Sequence, residues 1–256
     1  METGRTRRED GVELAWARIA GRAPSVVFLP GFRSDMGGAK ALETEAFCAA
    51  HGHACLRLDY SGHGASGGAF EAGTIGQWTE DALLLIDRLT EGPLVLVGSS
   101  MGGWIALLVA QARPERVAGL IGLAAAPDFT EALMWAAMTE GERAILERSG
   151  VIYVPSPYGE ALPITRALIE EGRRHLLLDR SIEVEGSIAI EGPVRLLQGQ
   201  RDPDVPWQTA LRLAERLEAD DVQVTLIKDG DHRLSRPSDL ALLRRTLGTL
   251  LLEDGA

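Results

Sequence analysis

The chain has two cysteines in 256 residues, Cys48 and Cys55. Two thiols at that spacing build neither a disulfide framework nor a zinc site, so a small secreted scaffold is excluded and a reducing compartment expected. Basic residues are in deficit, 26 Lys and Arg against 37 Asp and Glu, for a net charge of -11. That balance argues against nucleic acid or an anionic membrane as the main partner. No apolar run reaches the roughly 18 residues of a membrane span. Arg5, Arg7 and Arg8 stand near the start, but no apolar stretch of the secretory-signal kind follows them. Taken together these absences predict a cytoplasmic location and no membrane span. Internal repeats, low-complexity tracts and long charge runs are also missing. The length suits one large α/β domain, or a domain with an insertion.

The most informative stretch is Gly98-Ser99-Ser100-Met101-Gly102. An apolar strand-like run, 93–97, precedes it, and 103–110 follows with helical character. A strand, then G-x-S-x-G, then a helix is the setting of a nucleophile elbow. The sharp turn strains the serine backbone, and glycines at Gly98 and Gly102 leave room for it. The helix N-terminus behind Ser100 favours negative charge developing there.

Around this stretch, apolar runs alternate with helical periodicity. Residues 11–20 alternate like an edge strand, and strands are predicted at 25–29, 54–58, 117–124, 194–198 and 222–227. Helices are predicted at about 39–51, 75–90, 207–219 and 238–252, with Thr74 as a cap. Strand–helix alternation implies a doubly wound, mostly parallel sheet. It stops between 127 and 190, where Pro155, Pro157 and Pro163 interrupt segments with helical character at 142–148 and 164–178. The predicted organisation is a core of 1–126 and 191–256 with a helical cap insertion at 127–190.

A serine hydroxyl needs a base within hydrogen-bond reach. Of five histidines, His232 follows the last strand and precedes the last helix, and the chain order serine, acid, histidine selects it. His63, in the glycine-rich loop 59–67, is the alternative. The acid falls after the strand ending at 198, where Asp202 and Asp204 both qualify. Asp202 is preferred as the nearer to the strand end, and Asp128 is a third choice whose other reading is a helix cap. Asp59 reads as a loop anchor. Two backbone N–H groups, of Met101 after the nucleophile and of Phe32 behind Gly31, are the expected oxyanion hole.

Pro30-Gly31-Phe32, the loop 59–66, Gly98–Gly103, Asp202-Pro203-Asp204-Val205-Pro206 and Asp231-His232 together resemble the α/β-hydrolases over nearly all of the chain. Residues 98–104, 113–117 and 125–130 are similar to one branch, the mitochondrial palmitoyl-protein thioesterases and acyl-glucuronide esterases with their bacterial relatives. The resemblance implies a Ser100–Asp202–His232 triad, no metal and no organic cofactor. The implied activity is hydrolysis of carboxylic esters or thioesters through an acyl-enzyme, on a small-molecule or acylated-protein substrate. Met134, Trp135 and Met138, at helical spacing in the insertion, are the expected wall for an apolar acyl group, their other reading being cap packing. The alternatives are a carbon–carbon bond hydrolase, a small-acyl peptidase, or a non-catalytic ligand-binding protein on the same scaffold.

Overall fold

A computed structural model describes residues 1–156, 159–178 and 190–252. Eight strands form one sheet in the order β1-β2-β4-β3-β5-β6-β9-β10. They are β1 (Glu2–Arg7), β2 (Glu13–Ile19), β3 (Arg22–Leu29), β4 (His53–Leu58), β5 (Leu94–Ser99), β6 (Val117–Leu123), β9 (Val194–Gly199) and β10 (Val222–Ile227). From β4 to β10 every neighbouring pair is parallel, whereas β1 and β2 run antiparallel at one edge.

Strand periodicity divides the central side chains between two cores. On β3, Val27 and Leu29 join one cluster while Val26 and Phe28 join the other; on β5, Leu94 and Leu96 oppose Val95 and Val97 in the same way. Both faces are covered, so the strands are apolar throughout rather than alternating. Helices α2 (Ile75–Leu89), α3 (Met101–Ala112) and α6 (Gln208–Arg216) bury residues in the first cluster. Helices α1 (Ala39–His51) and α7 (Pro237–Leu251) bury theirs in the second. Thr74 caps α2, its side chain accepting from the Gln77 amide at 3.3 Å. The doubly wound sheet expected from the alternation is therefore present, with the helix ends one turn shorter than predicted at α6.

Two elements depart from expectation. The polar segment of β1 carries no strand signal of its own. It is held because the Trp16 indole lies flat against Gly4, where a Cβ would stand 2.4 Å from the ring, and donates to Thr6 Oγ1 at 3.1 Å. The insertion is also not wholly helical. Between β6 and β9 it has a π-helical turn at Thr130–Trp135, α4 (Glu140–Ser149), an antiparallel hairpin of β7 (Val151–Ser156) and β8 (Gly159–Thr165), and α5 (Arg166–Gly172). Val151, Ile152, Tyr153 and Val154 are β-formers. Pro155 sits where the ladder register shifts, and Pro163 pairs with Tyr153 on a two-stranded ribbon, where a missing N–H is tolerated. Thr165 caps α5 through the Leu168 amide at 3.1 Å, which sets the helix start two residues later than its periodicity suggests. Of the expected cap and core, residues 157–158, 179–189 and 253–256, with Pro157, lie outside the described residues.

Candidate active site

β5 ends at Ser99 and α3 begins at Met101, leaving Ser100 at the crossing with φ 54° and ψ −118°. Such a conformation is costly for a residue with a Cβ and persists only where the surroundings over-determine it. Here they do. The Ser100 amide donates to the Leu123 carbonyl at 2.9 Å, and its own carbonyl accepts from Gly103 and Ala126 at 2.8 and 3.1 Å. A Cβ on Gly98 would meet the Gly102 carbonyl oxygen at 2.3 Å, and one on Gly102 would meet that of Leu29 at 2.0 Å. The start of α3 thus packs backbone to backbone on the ends of β5 and β3. The N–H of Met101 opens α3, in the turn whose amides have no partner within the helix.

His232 lies on the loop between β10 and α7 and faces the serine, with its Nε2 3.0 Å from Ser100 Oγ. Its Nδ1 is 2.8 Å from Asp202 Oδ2. An ionised carboxylate only accepts, so Nδ1 carries the ring proton and Nε2 presents its lone pair to the hydroxyl. The Asp202 side chain is fully buried and takes four donors: His232, the Gln198 amide at 2.9 Å, and the backbone N–H groups of Asp204 and Val205, both at 2.8 Å. Burial alone raises a carboxyl; the hydrogen bonds from His232, Val205 and Asp204 outweigh it and hold Asp202 below its ordinary value. Of the two candidate acids, the structure thus brings Asp202 to the imidazole, while Asp204 is exposed and supports Asp202 through its amide.

His63 stands apart from the serine. It is 97% buried among Tyr60, Phe70 and Trp78, and Nδ1 is bonded to the Ser61 carbonyl at 3.1 Å. Asp128 is likewise elsewhere: its carboxylate accepts the Leu177 and Leu178 amides, both at 2.7 Å, and so ties residues 177–178 to the segment that follows β6. One ligand atom each from Asp202, Asp204 and His232 lies within 4.8 Å of the others, the only such group among the described residues, but Asp202 and His232 are already bonded to each other there.

The loop after β3 carries Gly31 and Phe32 to the serine. A Cβ on Gly31 would lie 3.3 Å from Ser100 Cβ, so glycine is what allows the approach. The end of β4 fixes this loop by contacts that sequence reading does not identify. Asp59 accepts from the Met36 amide at 2.7 Å, the Arg57 guanidinium donates to the Met36 carbonyl, and Tyr60 donates to the Pro30 carbonyl at 3.3 Å. Asp59 is a loop anchor, as expected, for the 59–66 loop through Ala65 at 2.8 Å and for the 31–38 loop as well. The Phe32 ring lies edge-on to Phe70, Phe129 and Trp78, with centroids 4.9, 5.6 and 5.8 Å away.

The three insertion residues are placed unequally. Met138 is 8% exposed, in a small cap cluster with Leu146, Ile152, Ile164 and Ile169. Trp135 is half-buried, with the Arg143 and Arg173 guanidinium groups 4.7 and 4.8 Å from its ring centroid. Met134 is partly buried against both the cap cluster and the main core.

Comparison with known proteins agrees with this fold. A family model described as serine aminopeptidase, S33, matches residues 22–158. The human mitochondrial palmitoyl-protein thioesterase ABHD10 is 41% identical over 246 residues, 95% of this chain and 78% of that protein. The solved structure of mouse alpha/beta hydrolase domain-containing protein 10 superposes with a TM-score of 0.87 at 39% identity, covering 98% of each chain. That of a putative hydrolase from Agrobacterium vitis S4 gives 0.91 at 43%, covering 97% of this chain and 98% of that one. The expected cytoplasmic location is overturned by the palmitoyl-protein thioesterase relatives, which are mitochondrial. A scarcity of cysteine separates reducing from oxidising compartments, but not one reducing compartment from another. At this identity and coverage the chain belongs to the α/β-hydrolases, in the family of the mitochondrial palmitoyl-protein thioesterases.

Proposed function

We propose that the protein is a serine hydrolase that cleaves thioesters or carboxylic esters of apolar acyl groups, with Ser100 as nucleophile, His232 as base and Asp202 as its orienting acid. The observation that carries this reading is the unbroken hydrogen-bonded line from Asp202 through His232 to Ser100, with distances of 2.8 and 3.0 Å. Ser100 Oγ attacks the acyl carbonyl carbon as its proton passes to His232 Nε2. The carbonyl oxygen becomes an oxyanion, for which the backbone N–H groups of Phe32 and Met101 are the assigned donors, each worth about 3 kcal/mol of barrier. Collapse expels the thiol or alcohol, which takes the proton back from His232. Water, deprotonated by the same nitrogen, then releases the acid and restores Ser100.

The relatives' name supplies the substrate class, a long acyl chain in thioester linkage to a protein. Residues 127–190 are assigned as a cap over this centre. In it, Met134 touches the acyl chain, while Met138 and Trp135 fix Met134 in place. The adaptable thioether suits a substrate of variable chain length. Fluorophosphonate labelling of the pure protein, lost in Ser100→Ala, together with faster release of thiol from an S-palmitoyl than from an S-acetyl peptide, is the expected result. Labelling that survives in Ser100→Ala would remove the nucleophile assignment, and a preference for acetyl would remove the substrate class.

A further inference from the structure

Lys40 occupies the first turn of α1, where the helix dipole disfavours a cation and the turn itself holds no acidic residue. A local rule broken in this way needs a partner elsewhere. The partner is on the loop that carries the base: Lys40 Nζ donates to the backbone carbonyl of Arg233, the residue after His232. That loop needs holding. Leu234 is a non-glycine residue at φ 43°, and within the loop two bonds oppose this strain: the Asp231 carboxylate accepts from the Leu234 amide at 3.0 Å, and Ser235 Oγ donates to the Arg233 carbonyl at 2.9 Å. Further along, Arg236 is fixed by Asp229 and Asp239, and among the described residues the carbonyl between the imidazole and the strained residue is tied to the body of the protein, beyond its own loop, by Lys40.

We propose that Lys40 is a positioning residue for the reaction: its ammonium clamps the Arg233 carbonyl, and this keeps the His232 loop docked on α1 with the imidazole in line with Ser100. The inference rests on the assignment of His232 as base.

The clamp is titratable. Burial, and the neighbouring Arg233 charge, bring the Lys40 ammonium down to about 8, against the opposing pull of Asp231 on the same loop, Asp239 on α7 and Asp202 beyond β9. Above that pH the group is a neutral amine, and its hydrogen bond loses the charge that makes such bonds roughly twice as strong as neutral ones. The alkaline side of the rate profile thus reports Lys40.

The test is kcat and KM for an amine-free acyl ester across pH 6 to 9.5 in wild type, Lys40→Met and Lys40→Arg, with thermal unfolding of each as a control. Wild-type kcat is expected to fall through about pH 8. Lys40→Met should lose about tenfold in kcat at pH 7, the equivalent of one charge-assisted hydrogen bond, with KM nearly unchanged and no further alkaline fall. Lys40→Arg keeps a permanent charge and should retain most of the activity with the alkaline fall abolished. Wild-type kcat in Lys40→Met, or an alkaline fall that persists in Lys40→Arg, overturns the proposal. If Lys40→Met does not fold, the Lys40→Arg profile decides alone. Failure of the base assignment is separate, since it would appear as an undiminished rate in His232→Ala whatever the Lys40 variants do.

Discussion

Acidification should weaken this fold through His63. The side chain is 3% exposed and enclosed by Tyr60, Phe70 and Trp78, and among the described residues its Nε2 has no hydrogen-bond partner. Burial lowers the group to about 4 from the ordinary 6.5, against the raising effects of the Ser61 carbonyl and Asp81, with Arg33 adding to the lowering. The unfolded chain therefore binds a proton between pH 6.5 and about 4 that the folded chain refuses, so stability falls as pH falls through that window. Going from pH 7 to pH 5 should cost about 2 kcal/mol from this group, of a limit near 3 at lower pH. For a chain of this length that is about 4–8 °C in Tm. The assay is thermal unfolding at pH 7 and pH 5 for wild type and His63→Gln, which keeps a side-chain donor but does not titrate. Asp202 and Asp239, whose carboxyls are held low in the folded state, also lose stabilisation on acidification, but equally in both proteins. The expected result is a Tm drop larger in wild type than in the variant by that interval. Equal drops would refute the argument.

The remaining expectations concern the proposed chemistry. Ser100→Ala should lower turnover by roughly 10⁴-fold or more with Tm preserved, and more than a tenth of wild-type activity would contradict the nucleophile assignment. Asp202→Asn should lower kcat far more than Asp204→Asn, because an amide at the buried position holds the imidazole in the wrong tautomer; equal losses would move the acid to Asp204. Trp135→Ala removes the ring between Arg143 and Arg173, and should lower Tm and flatten the preference for long acyl chains in a p-nitrophenyl ester series. An unchanged chain-length profile would show that the acyl chain is read elsewhere.

The βα core was legible because its signals are local. The apolar run of β5, the glycines at 98 and 102 and the apolar helix after them each specify the same turn. The loop holding His232 was found from chain order rather than composition. The parts that stayed hidden depend on partners distant in sequence. β1 is polar and becomes a strand through its ladder with β2, where Trp16 covers Gly4. The hairpin of β7 and β8 was masked by Pro155 and Pro163, residues tolerated at a register shift and on a narrow ribbon but read from sequence as breaks. Lys40 gave a signal, a cation at the wrong end of a helix, whose meaning required the position of Arg233.

The backbone contact between β5 and α3 has a consequence for how such a protein diversifies. At Gly98 and Gly102 even one methyl group would coincide with a carbonyl oxygen of the main chain, and at Gly103 it would lie 2.6 Å from the Ala125 side chain. Those positions admit a single amino acid, so drift in sequence can scarcely reach the ground on which Ser100 stands. The insertion between β6 and β9 meets the rest of the chain through side chains and loops, which accept replacement. New specificities in this lineage should therefore arise by rewriting the insertion while the elbow is inherited unaltered.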